Sequence, residues 1–110
     1  MEIAEERKGD ISILQVAGKL DASTSKELED RVLALVASGR NKLVVDLSRL
    51  DYISSAGLRV FLLAAKRMEA TSGRLVLSSL NPAVKQVFDI AGFSSYLTLA
   101  ASTDEALGKL

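Results

Sequence analysis

The 110-residue chain has no cysteine and no histidine. That removes disulfides, a thiolate nucleophile, a zinc site of the common nitrogen or sulfur type, and any serine–histidine pair. Charge of one sign is also missing: 14 lysines and arginines face 14 aspartates and glutamates. With no basic block of five or more residues, nothing draws in nucleic acid. Aromatic residues are only 5% of the chain, too few for a base-stacking platform. No apolar stretch is longer than Val60 to Ala65, far too short to cross a bilayer. No N-terminal segment has the charged-then-apolar shape of a signal peptide, so the expectation is a cytoplasmic protein without a membrane role. Neither a Walker-type loop nor GxGxxG occurs. Only carboxylates, lysines and hydroxyls remain for catalysis, and Asp46 with Asp51 do not make a persuasive acid–base pair.

What is present fits one globular unit, residues 1–110, with 48% hydrophobic and 25% charged residues. Glu2 to Arg7 and Ile11 to Val16, parted by the Gly9-Asp10 turn signal, predict a leading β-hairpin. Ser25 to Ser38 predicts a helix. Leu28, Val32, Leu35 and Val36 share its face, Thr24 with Glu27 forms a capping box, and Gly39 sits at the C-cap. Lys42 to Leu47 is a short apolar strand without clean alternation, as expected for a strand covered on both faces. A deeply packed helix follows the serine segment. Leu58, Phe61, Leu62, Ala65 and Met68 mark its face, and it ends near Ser72-Gly73. Arg74 to Ser78 is the next strand. Asn81-Pro82 starts a helix that closes at Gly92, with Val84, Val87, Phe88 and Ala91 on its apolar face. Tyr96 to Leu99 is a strand, and Ser102 with Glu105 opens a last helix through Leu107. The order β-β-α-β-α-β-α-β-α implies an α/β fold. Its mixed, mostly parallel sheet has about four to five strands covered by about four helices.

The segment between strand and buried helix reads DYISSAGLRVFLLA, residues 51–64. With Ser54 as N-cap, Ile53 and Leu58 form a hydrophobic staple. With Ser55 as N-cap the pair becomes Ser54 and Arg59, which cannot staple. Local physics therefore makes Ser54 the cap and leaves the Ser55 hydroxyl free of backbone duty at the first helical position. Gly57 leaves this first turn with little side-chain cover. A serine ahead of an apolar helix is most simply a cap and nothing more.

Four segments in sequence, GKLDASTSKEL, VVDLSRLDYI, SSAGLRVFL and NPAVKQVFDIAGF, resemble the STAS domain family, and specifically the bacterial anti-sigma factor antagonists. The resemblance covers nearly the whole chain and implies the STAS fold. It further implies a serine or threonine, shortly before the glycine–leucine pair, that a partner kinase phosphorylates. Matched on Gly57-Leu58, that acceptor is Ser55, with Ser54 the runner-up. The family's usual aspartate before the acceptor is Ser54 here. The implied partners are an anti-sigma factor that is also an ATP-dependent serine kinase, and a metal-dependent serine phosphatase. ATP and magnesium belong to those partners, so no cofactor or metal is expected on this chain, which would act as a monomer or weak dimer and not as an enzyme. The resemblance places Asp21, Ser23 and Thr24 at the partner-binding edge beside Ser54, Ala56, Gly57, Leu58 and Arg59. Asp46 would support the turn. Each has a plainer reading: capping for the loop residues, a local backbone hydrogen bond for Asp46, core packing for Leu58 and a solvated charge for Arg59. Two further readings stay open. One is a STAS interaction module of a stress-sensing or lipid-transport complex without a phosphorylation switch; the other is a small enzyme using carboxylates or binding a nucleotide.

Overall fold

The computed structural model describes residues 1–110. In chain order the elements are β1 (Glu2–Lys8), β2 (Ile11–Leu20), α1 (Ser25–Ala37), β3 (Lys42–Ile53), α2 (Ser55–Ala70), β4 (Arg74–Ser78) and α3 (Pro82–Ile90). A 3-10 turn (Phe93–Ser95), β5 (Thr98–Ala100) and α4 (Thr103–Leu107) complete the chain. The five strands form one sheet in the order β1-β2-β3-β4-β5. The β1–β2 hairpin is antiparallel, and every other neighbouring pair is parallel. The expected leading hairpin and mostly parallel sheet are both present.

The apolar residues of β3 divide between the two faces of the sheet. Leu43, Val45 and Leu47 join a large core built with Leu28, Val32 and Leu35 of α1, Phe61, Ala64 and Met68 of α2, and Val84 and Phe88 of α3. Val44 joins a smaller core with Ile13, Val76, Ala100 and Ala106 of α4. Apolar residues on both sides of one strand are what removed the alternation from its sequence. The rings of Phe61 and Phe88, with centroids 6.1 Å apart, tie α2 to α3.

Several boundaries differ from the sequence reading. β3 runs to Ile53, six residues past the expected end at Leu47, and β2 runs to Leu20. The pairing of β2 with β3 shifts twice, between Gln15 and Ala17 and between Gly18 and Lys19, so that Ala17 faces Arg49 and Lys19 faces Tyr52. Each shift inserts an extra residue in β3 and resets its alternation. Leu47, Leu50 and Ile53, three apart, can therefore all be buried. A period of three matches neither strand nor helix, which is why this stretch did not read as strand. β5 begins two residues later than expected because Phe93–Ser95 closes a 3-10 turn, and Tyr96 and Ala91 are exposed. In α2, Leu62, Leu63 and Ala65 are only partly buried, so the packed stripe is narrower than predicted.

The helix ends follow specific chemistry. Asn81 accepts from the Val84 amide at 2.8 Å and donates to the Leu50 carbonyl at 2.8 Å, fixing α3 to the far half of β3. Ser102 caps α4 through the Glu105 amide at 3.1 Å. The capping box expected for α1 does not form. The Thr24 hydroxyl is turned toward the preceding strand, donating to the Lys19 carbonyl at 2.9 Å, and α1 has no side-chain cap. Gly39, at φ +82°, closes α1 as expected, with its amide on Val36 O and the Arg40 amide on Leu35 O. α2 ends in the same motif, but Ser72 takes the left-handed position at φ 58°. Gly73 is there for space, since an added Cβ would lie 2.2 Å from the Asn41 carbonyl oxygen. Ser72→Gly is therefore expected to raise stability by about 1 kcal/mol. Gly73→Ala is expected to lower it by about 3 kcal/mol. Chemical denaturation of the two variants checks the pair, and equal effects would contradict this division of roles.

Candidate functional site at the serine turn

β2 and β3 both run well beyond β4, whose pairing with β3 stops at Asp46 opposite Ser78. At the far tip, Leu20 lies opposite Ile53. Two connections leave that tip side by side: the Asp21–Thr24 loop into α1, and the serine turn into α2. The Ser54 amide donates to the Leu20 carbonyl at 2.9 Å and joins them. The structure therefore brings Asp21, Ser23 and Thr24 together with the Ser54–Arg59 segment.

Ser54 is the N-cap of α2. Its backbone is extended, its carbonyl accepts from the Leu58 amide at 3.0 Å, and its hydroxyl accepts from the Gly57 amide at 3.4 Å. Ile53 and Leu58 are both buried in the large core, as a hydrophobic staple requires. Ser55, the first helical residue, is exposed, and its hydroxyl takes part in no hydrogen bond. The two adjacent serines thus do different things: one closes the turn, and the other presents an unengaged hydroxyl at the positive end of a 16-residue helix.

Gly57 does not leave the turn uncovered, as its lack of a side chain suggested. It is buried, and an added Cβ would lie 2.8 Å from Leu20 Cγ and 2.9 Å from Ile53 Cγ1. The glycine lets the first turn of α2 press onto the strand tip, and Leu58 packs in the core behind it. Ala56 is half-buried and Arg59 is exposed with no ion pair.

The neighbouring loop is held by its own side chains. Asp21 Oδ1 accepts from the Ser23 amide at 2.9 Å and the Ser23 hydroxyl at 2.7 Å, while the Asp21 amide donates to Thr24 Oγ1 at 2.9 Å. The Ser23 hydroxyl, and then its amide, hold the Asp21 carboxyl below its ordinary value. Asp46 stands apart. Its carboxylate accepts from the Ser48 amide at 2.9 Å, and it makes no hydrogen bond with the serine turn. It lines a separate cleft with Met1, Gln15 and Arg49.

Sequence reasoning missed a groove of about 350 Å³ between α1 and α2, lined by Ser25, Lys26, Glu29, Ala56, Arg59, Val60 and Leu63. The available signal was the spacing of Ala56, Arg59, Val60 and Leu63, one stripe of a helix. No group of three or more carboxylates is placed to hold a metal ion, and no helix is long and apolar enough to cross a membrane.

The model of the STAS domain matches residues 2–106. The chain belongs to the STAS domain family. BtrV of Bordetella bronchiseptica, named provisionally as an anti-sigma factor antagonist, is 41% identical over 106 residues, covering 96% of this chain and 91% of BtrV. Among solved STAS-fold structures, a Thermotoga maritima protein, also named provisionally as an anti-sigma factor antagonist, superposes with a TM-score of 0.92. It is 21% identical, with 97% of this chain and 92% of that one covered. SpoIIAA of Bacillus, solved in unphosphorylated and phosphorylated forms, gives TM-scores of 0.77 and 0.76 at 18% and 20% identity. These matches cover 98% of this chain and 96% and 98% of the two SpoIIAA chains.

Two outcomes test this geometry. Gly57→Ala should cost about 1–3 kcal/mol by overpacking against Leu20 and Ile53, whereas Ser55→Ala should be neutral within about 0.5 kcal/mol; denaturation midpoints decide. For Asp21, a folded-state pKa below the unfolded one adds stability above the unfolded value, and that stability is lost as pH falls through the folded one. The Asp21 carboxyl should therefore titrate by NMR below its ordinary 3.8. Ser23→Ala should move it back up.

Proposed function

We propose that this chain is an anti-sigma factor antagonist: it binds an anti-sigma factor that is also a serine kinase, frees the sigma factor held there, and is switched off when Ser55 is phosphorylated. The observation that carries this reading is the division of labour at the turn. Ser54 is committed to the cap, and Ser55 is exposed with a free hydroxyl beside the Asp21–Thr24 loop. The name of BtrV supports the partner class. That SpoIIAA is known in a phosphorylated form supports a modification compatible with this fold.

The physics of the switch is local. A phosphate at the first helical position meets unpaired amides and the positive end of the helix dipole, so it does not unfold the domain. Its charge, near −2, must be desolvated or repelled wherever a partner covers the turn. A loss of about 3 kcal/mol at that interface is about a hundredfold in affinity. The protein itself is a binding module and a kinase substrate, residues 1–110 acting as one unit in the cytoplasm, with ATP and magnesium on the kinase and a serine phosphatase restoring the unmodified form.

Intact-mass measurement tests the site. The chain is incubated with magnesium ATP and the anti-sigma kinase from its own genome, beside Ser54→Ala and Ser55→Ala variants. One phosphoryl group is expected on the wild type and on Ser54→Ala, and none on Ser55→Ala. Loss of modification in Ser54→Ala alone would overturn the assignment.

A further inference from the structure

The groove between α1 and α2 carries cations from two different helices, Lys26 and Arg59, on a floor that includes Ala56, Val60 and Leu63. Ser55 precedes Ala56 and lies four residues before Arg59, so it and Arg59 share one side of α2 at the groove's end. Arg59 forms no ion pair. Lys26 is held only by Asp30 at 3.1 Å, with the two side chains 77% and 60% exposed, a weak and exchangeable contact. Packed helices lie about 8–10 Å apart, a span that an extended lysine and a phosphoserine can bridge. Glu29 is the one carboxylate on the rim.

The geometry points to a phosphate clamp across the two helices: phosphorylated Ser55 is bound by Arg59 of its own helix and by Lys26 of α1, drawing the groove shut over Ala56, Val60 and Leu63. This rests on Ser55 as the acceptor and adds a second effect of modification. The phosphate repels a partner, and with the two cations it also covers the groove beside the turn. Lys26 exchanges Asp30 for a dianion with three acceptor oxygens. No backbone rearrangement is required, because both cations already line the groove.

The test is a phosphorus NMR titration of the full chain with phosphoserine installed at position 55 during translation, so that no kinase is needed. A free phosphoserine loses its second proton at about pH 6. Two clamping cations favour the dianion and place the midpoint lower. Lys26→Ala and Arg59→Ala should each move it back up by about 0.5 pH unit, about threefold in the protonation equilibrium. Lys66→Ala, an exposed lysine outside the groove, should leave it unchanged. If only Arg59→Ala moves the midpoint, or neither does, the cross-helix clamp is wrong, and the phosphate acts by repulsion alone. Failure of the kinase to modify Ser55 would instead count against the acceptor assignment and leave this titration readable.

Discussion

The hydrogen bond from the Ser54 amide to the Leu20 carbonyl holds the site together. It closes the tip of two strands that have outrun the rest of the sheet, and it sets where α2 begins. Gly57 makes the closure possible, because the helix comes so near Leu20 and Ile53 that no side chain fits between them. With the tip closed, the α1 loop and the α2 turn are fixed next to each other. Leu20 already faces Ile53 in the ladder, and this bond carries the pairing one residue further, into the turn. The double irregularity in β2–β3 pairing serves the same end, since it lets Leu47, Leu50 and Ile53 all anchor the extended strand in the core.

An unengaged hydroxyl next to a structural one is an economical arrangement. Capping requires Ser54 to turn its side chain back on the helix, and this leaves Ser55 facing outward with no bond to give up. Modification at Ser55 then changes surface charge without touching the cap, the staple or the glycine contact. On the proposed function, the fold stays constant while the surface around Ser55 gains negative charge, which is what a switch between partners needs.

Much of this was legible in the sequence, for identifiable reasons. Asn81-Pro82, Gly39 and the Ile53–Leu58 staple are short-range signals whose chemistry is complete within five or six residues, and the structure bears each of them out. The end of β3 was not legible, because its burial has a period of three imposed by bulges against β2, and a bulge is a property of two strands. The α1 cap misled for a similar reason. Thr24 has the residue type and spacing of a capping box, but its backbone is not extended as a cap requires, and its hydroxyl is oriented toward β2, donating to the Lys19 carbonyl and accepting from the Asp21 amide. Ser72 and Gly73 were correct as a helix end, yet which of them bends the chain depends on Asn41, thirty-two residues before Gly73. Only one wall of the α1–α2 groove could be read, from the Ala56, Arg59, Val60 and Leu63 stripe, because the facing wall comes from α1 and the packing of the two helices is a tertiary property.

In the function proposed here, phosphate on Ser55 changes binding while the fold stays as it is. The most direct measurement is calorimetric titration of the cognate anti-sigma factor into unmodified and Ser55-phosphorylated protein, with thermal unfolding of both forms recorded alongside. An affinity loss of about a hundredfold is expected, with the two forms unfolding as equally cooperative folded domains. Equal affinities, or a lost affinity accompanied by loss of cooperative unfolding, would contradict it.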